Sequence, residues 1–306
     1  MTSRDLIAMS FTSAAIEILS ALTAAANLFI IAAGLSLVFG ALRIINLAHG
    51  SFYMIGALLM ASIFALGQRG VLFWPALLLA PMLMAGFGAV LERFLFRRIY
   101  HAEHLVQLLL SYALSLILAD LALRIWGADT RTVPPPAALA GALSVGGASF
   151  PLYNLFVIAL ALAVGLGLWA LLRLTRFGWE IRAAVEDAEG LSLCGRNVPA
   201  LFTTVFALGA FLAALGGAAI APLQAIGPGM DSAILVSAFI VAVIGGLGSI
   251  AGAALGAAII GLFQAVGTLW LPTWAPAFIF LAMILVLVVR PWGLMGATQR
   301  AWSEDE

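Results

Sequence analysis

The chain has 306 residues, of which 64% are hydrophobic and 9% charged, with a mean hydropathy of +1.15. Soluble domains carry about 25% charged residues, so lipid must be the solvent for much of this surface, and the balanced 14 basic and 14 acidic residues imply no polyionic surface for nucleic acid. All basic residues are Arg, which excludes a Schiff-base lysine, and the single Cys194 excludes an intramolecular disulfide and a cysteine-rich metal site.

A membrane-spanning helix needs roughly 20 mostly apolar residues. Stretches of that kind are 16–40, 50–67, 71–91, 105–126, 152–174, 200–221, 232–248, 253–271 and 274–290. The glycine-rich or polar stretches 41–50 and 245–252 split or merge spans, so the expectation is an all-α bundle of eight to ten spans in one domain, 1–306. The N-terminus lacks a short apolar core with a cleavage site and reads as the first span.

The first informative stretch is "LRIINLAHGSFYMIGALL", residues 42–59, where Arg43, Asn46 and His49 recur every three residues. Arg43 is expected to snorkel at an interface. Asn46 and His49 with Gly50 are expected to hold a break in the helical path, packed inside the bundle. His49 has no second ligand at metal spacing.

Basic residues then set orientation. Arg93, Arg97 and Arg98 fall in 92–104, Arg173, Arg176, Arg182 and Arg196 in 173–197, and Arg290 and Arg300 at the end. By the positive-inside rule all three regions are cytoplasmic. The loops 127–151, 222–231 and 271–276 are then outside, although Arg124 and Arg131 flank the first, and nine spans would put the N-terminus outside. Of the polar residues in or beside spans, Gln107, Ser111 and Gln224 are pathway candidates, while Glu17, Asp120 and Asn154 lie near span ends. His101 and His104 belong to a basic, solvated loop.

The cytoplasmic segment 175–199 carries an amphipathic helix over 178–195. Ile181, Ala184, Val185, Ala188 and Leu191 share one face, Glu180, Arg182, Glu186, Asp187 and Glu189 cover the rest, and Gly195 is a stop. It is too acidic to bind anionic lipid, so its apolar stripe either packs on its own bundle or docks a cytoplasmic subunit; docking is the expectation taken here.

Towards the C-terminus, "VIGGLGSIAGAALGAAIIG" contains Gly245, Gly246, Gly248, Gly252 and Gly256. The ridge Gly248, Gly252 and Gly256 suits close helix packing. The denser 245–249 suggests an unwound turn at membrane depth on the pathway; it is not a phosphate loop, since no Lys follows. Residues 36–57 also align with 241–262 at an offset of 205. Duplication of a half-transporter and chance overlap in an apolar alphabet both fit that alignment.

Three stretches carry a family resemblance: "GLSLVFGALRIINLAHGSFYMIGA" (34–57), "RAAVEDAEGLSLCGRNVPALFTTVFALGAFLAALGGAAIAPL" (182–223) and "AFIVAVIGGLGSIAGAALGAAIIGL" (238–262). In order and spacing they resemble the permeases of branched-chain amino-acid ABC transporters, and in particular the first of the two permeases that pair in such importers. The resemblance implies an inner-membrane permease subunit working with a second permease, two cytoplasmic ATP-binding subunits docked around Glu186, Asp187 and Gly195, and a periplasmic solute-binding protein. ATP hydrolysis would belong to those partners, so this chain needs no catalytic residue, metal or cofactor. Family members often carry a Lys just before the "AF" of the glycine segment; here Ser237 stands there. That departure leaves the solute open among branched-chain amino acids, amides and organic acids. The alternative is an ion-coupled secondary carrier, which normally shows acidic groups in mid-span; by sequence the acidic groups here fall in loops and at span ends.

Overall fold

A computed structural model describes residues 3–67, 71–100, 102–145, 148–270 and 272–296. His101 and Arg300 lie outside the described residues. Eleven α-helices and one small hairpin are present among those described: α1 Ser3–Leu42, α2 His49–Ala65, α3 Phe73–Phe94, α4 His104–Trp126, β1 Ala142–Val145, β2 Ala148–Pro151, α5 Leu152–Leu174, α6 Arg176–Glu186, α7 Ala188–Leu193, α8 Val198–Ile220, α9 Met230–Gly245, α10 Ile250–Trp270 and α11 Ala275–Val289. The strands pair antiparallel, with Leu143 opposite Phe150, inside the long loop after α4.

Six helices are long and apolar enough to cross a membrane: Ile16–Leu42 of α1, Phe73–Ile99, which runs past the end of α3, then α4, α5, α8 and Ile250–Thr268 of α10. The apolar helices α2, α9 and α11 have 17, 16 and 15 residues. At 1.5 Å per residue they reach about 22–26 Å, less than the ~30 Å hydrocarbon layer. Together the nine apolar helices coincide with the nine stretches marked by hydropathy. The all-α polytopic expectation holds.

Packing sorts the helices. The apolar windows of α1 and α8 are the most buried, and that of α5 the least. Leu162, Leu166 and Trp169 of α5 and Leu116 and Ile117 of α4 are more than half exposed, as a lipid-facing belt requires. At the centre, α2 crosses α8 on small residues. A Cβ at Gly217 would strike the Tyr53 carbonyl, and one at Gly56 would strike Ala214. With no side chain between them, the two backbones approach to van der Waals contact.

The first break in the bundle lies between α1 and α2. Arg43 adopts a left-handed conformation with φ 56°, which few residues other than glycine take, and α1 ends there. Residues 43–48 then run back alongside α1 without helical structure. The ring of His49 lies 3.0 Å from the Ile31 carbonyl, and Asn27 Nδ2 donates to the Tyr53 hydroxyl at 3.0 Å. Both pairings are antiparallel, and Ile31 stands eleven residues, or about 16 Å, before the end of α1. Helix α2 therefore starts near the middle of the bundle and runs outward.

The second break is its counterpart from the other side. After α8 ends, residues 221–229 return as an irregular segment. Ile226 and Arg131 exchange backbone hydrogen bonds of 2.8 and 2.7 Å, beside the outer end of α4. Gly229, with φ 95°, turns the chain into α9. The carbonyl of Asp231 packs on Gly50 and its carboxylate meets Ser51. Helix α9 thus also starts at mid-depth and runs inward, and the first turns of the two short helices meet.

The glycine turn 245–249 is unwound as expected, with Gly246 at φ 98° and Gly248 at φ 88°. Its place differs from expectation. It forms the tip of the α9–α10 hairpin at the Arg-rich end of the bundle, where Gly248 packs on Gly40, and the chain after α11 closes it through Leu294 N to Ile244 O and Met295 N to Gly245 O. The reason is length: α9 starts at mid-depth, so its 16 residues carry it to that end. Under the offset of 205, residues 43–48 fall on 248–253, yet α10 already begins at Ile250. The segments that match in shape are instead 43–48 with α2 and 221–229 with α9.

Candidate functional site

The segment 43–48 is held from two sides. The Asn46 side chain accepts from Ala48 N at 3.0 Å and shapes the entry into α2. Ser111 of α4 accepts from Leu47 N at 3.2 Å and lies 3.3 Å from the Ile45 carbonyl. Asn46, His49 and Ser111 are each at most 1% exposed. The His49 contact to the Ile31 carbonyl requires a proton on Nε2. His49 Nδ1 and Asn46 Nδ2 are buried and without a hydrogen-bond partner. Buried polar atoms are rarely left so, and here both sit where the helical path breaks.

Gln107 belongs elsewhere. Its amide donates to the carbonyls of Ile99, Tyr100 and Ala102 at 3.1–3.3 Å, which fastens the α3–α4 connection. Gln224 is exposed at the outer end, away from Asn46 and His49. Gly245, Gly246 and Gly248 are at the tip of the α9–α10 hairpin. Of the eight pathway candidates, the structure brings together Asn46, His49 and Ser111.

Sequence reading missed Asp231. It falls in a stretch assigned to an outer loop, yet the non-helical return of 221–229 carries it to mid-depth. There Ser51 donates to its carboxylate at 3.2 Å and lies 3.4 Å from the carbonyl of Ser115, the middle region of α4. The expectation that acidic groups stay in loops and at span ends is corrected at this residue. Only a signal for the extended return, such as the "GPG" before it, could have hinted at this.

At the Arg-rich end of the bundle, Glu92 is fully buried and gathers three partners: Arg97 at 2.9 Å, Tyr100 at 2.5 Å and Thr203 at 2.6 Å. Arg97 also reaches Thr203 and the Pro199 carbonyl. The cluster ties α3 to the start of α8. Burial, reinforced by the hydrogen bond to Glu92, pushes the Tyr100 phenol above its ordinary range, so it stays a donor. Beside it, a groove of about 500 Å³ lies between Arg43, Arg97, Tyr100, Val185, Glu186 and Phe202.

A family model described as the permease component of branched-chain amino acid transport systems matches residues 17–288. The chain belongs to this permease family. The high-affinity branched-chain amino acid permease BraD of Pseudomonas aeruginosa is 29% identical over 292 residues, covering 92% of this chain and 95% of that protein. LivH of Escherichia coli K12, named likewise, is 29% identical over 293 residues, covering 92% and 94%. The fructose import permease FrcC of Rhizobium meliloti is 29% identical over 159 residues, or 48% of this chain and 42% of that one. No solved structure matches.

In this permease the segment 175–199 differs from the single helix expected over 178–195. It breaks at Asp187, whose side chain accepts from Gly190 N at 2.8 Å and caps α7. Gly195 ends α7 with φ 79°, as expected. The apolar stripe is spent within the chain: Ile181 and Ala184 are buried against Leu37, Ala41, Leu201 and Val205, with Leu191 partly covered. This replaces the expectation that the stripe meets another subunit, because α1 and α8 extend far enough to cover it. Glu180 pairs with Arg196 at 3.1 Å. Arg182 stacks on Trp179 at 4.8 Å and donates to the Leu172 carbonyl. What faces outward is Trp179, 67% exposed, Leu193, 84% exposed, and the charged Glu186 and Glu189.

Proposed function

We propose that this chain is one of two permeases in an ATP-driven importer of a branched-chain or related small amino acid, amide or organic acid, set in a bacterial cytoplasmic membrane. The observation that carries the reading is the family match over nearly the whole chain, supported by the helix pair α6–α7 seated on α1 and α8. Two ATP-binding subunits dock on the outer surface of α6 and α7, around Trp179, Glu186, Leu193 and Gly195. The apolar faces of Ile181 and Ala184 then serve transmission, because a push on α6 bears directly on the end of α1 and the start of α8. A second permease completes the pathway, and a solute-binding protein delivers solute at the outer side. The sugar named for one relative supports leaving the solute class wider than leucine.

Affinity capture of the chain from detergent-solubilised native membranes, read by mass spectrometry, tests this. Two ATP-binding subunits and a second permease should co-purify, and uptake in vesicles should stop on ATP depletion. A chain captured alone, with uptake that collapses only with the ion gradient, would sink the importer reading in favour of a self-contained carrier.

A further inference from the structure

We propose that Asp231 is the mid-membrane point of the solute pathway and that its carboxylate receives a cationic ammonium group of the solute. The inference rests on the importer reading above and deepens it.

Two contacts of Asp231, with Gly50 and with Ser51, fix its depth. It packs on Gly50, next to His49, which lies level with Ile31 in the middle of α1's apolar span. Its partner Ser51 touches the carbonyl of Ser115, midway along α4. Gly50 also packs on Leu235, one turn further along α9. A carboxylate at this depth is costly unless something stabilises it. Ser51 supplies one hydrogen bond, and the first turn of α9 adds the positive end of a helix dipole. Among the described residues no Arg or His forms an ion pair with it. Arg124 and Asp120 neutralise each other at 2.6 Å, and Arg97 neutralises Glu92, so Asp231 is left as the mid-depth acid whose positive partner is not built in.

Its setting is that of a pathway wall. Asp231 is partly exposed, and the next residues on α9, Ser232 and Ala233, are exposed. Small and polar side chains are poor material for a lipid-facing surface, in contrast to the Leu-rich face of α5. Non-helical backbone leads to this point from both sides, 43–48 from the cytoplasmic end and 221–229 from outside. At membrane depth such backbone is tolerated where it is packed in protein or lines a water-filled cavity. Asn46 Nδ2 and His49 Nδ1, unsatisfied and buried, lie close to the same level. A zwitterionic amino acid brings the missing cation, and its ammonium is the group a hydrogen-bonded carboxylate selects.

The test uses the complete importer with its partner subunits in proteoliposomes, with ATP inside and radiolabelled leucine with the binding protein outside. Asp231→Asn should lower the maximal uptake rate at least ten-fold with unchanged subunit assembly and melting temperature. Asp231→Glu, which keeps the charge, should recover a large part of it. Leucine uptake by Asp231→Asn at the wild-type rate overturns the proposal. A second measurement does not depend on the solute. In a Cys194→Ser background, Ser232→Cys should react with membrane-impermeant methanethiosulfonates. A cationic reagent should react faster than an anionic one, and Asp231→Asn should remove that preference. Absence of labelling, or a preference that persists without the carboxylate, overturns the proposal. If the wild-type importer takes up no leucine, the solute reading alone fails, and the labelling ratio decides Asp231.

Discussion

Glu92 shows how much one buried charge constrains. It has no exposed surface, and Arg97, Tyr100 and Thr203 all converge on it. Removing one partner of a buried pair leaves the other uncompensated and costs roughly 3–5 kcal/mol. Arg97→Ala should therefore lower the melting temperature in detergent sharply. Glu92→Gln keeps an acceptor for only one of Tyr100 and Thr203, which donate to different carboxylate oxygens, but it strands no buried charge and should lower it less; equal losses would mean that the lost hydrogen bonds weigh as much as the stranded charge. At His49 the expectation concerns transport. The ring occupies a gap beside Ile31 and Gly34, and it fixes where α2 starts. His49→Ala should insert into the membrane at normal abundance yet lose most uptake, and normal uptake would remove His49 from the pathway.

Between elements, glycine decides which helices can touch. The α2–α8 crossing has no room for a β-carbon at Gly217 or Gly56. Gly217→Val should prevent stable folding or cost several kcal/mol, since overpacking a tight contact costs typically ~1–3 kcal/mol before backbone collisions are counted. Gly246 combines a positive φ of 98° with close packing on Gly296. Gly246→Ala should lower thermal stability by about 1 kcal/mol or more, a shift readable in the same melting assay, whereas Gly86→Ala, with open space around it, should be neutral. The helix pair α6–α7 obeys a different logic. Its apolar side is already buried, so its capacity to dock lies in exposed Trp179 and Leu193. Trp179→Ala with Leu193→Ser should leave the chain inserted while the ATP-binding subunits no longer co-purify; retention of both subunits would move the docking surface elsewhere.

At the scale of the molecule, the apolar windows of α1 and α8 are the most buried, and the two shorter helices α2 and α9 meet head to head beside them. Each is fed by a non-helical segment from the opposite side. This arrangement gives the permease two helices that start at the same depth, with α2 packed closely on α8. Residues 41–43 and Ala184, Val185, Glu186 and Ala188 border the same groove, so the end of α1, the start of the first break and α6 lie side by side.

Hydropathy alone determined the nine apolar segments, because lipid demands uninterrupted apolar length. Arg placement set the expected sides of the loops, and three long motifs pointed to the family. The break at Asn46 and His49 was legible because polar groups and glycine interrupt an apolar run. The position of Asp231 was not: 222–231 reads as a loop outside the bundle, and only the pairing of Ile226 with Arg131 and the packing of Asp231 on Gly50 reveal that it descends into the bundle. Depth in a membrane protein depends on which segments run extended and against what they pack. For the same reason, the glycine turn 245–249 looked like a mid-membrane break and lies at the Arg-rich end, and the stripe of α6 looked free until α1 and α8 covered it.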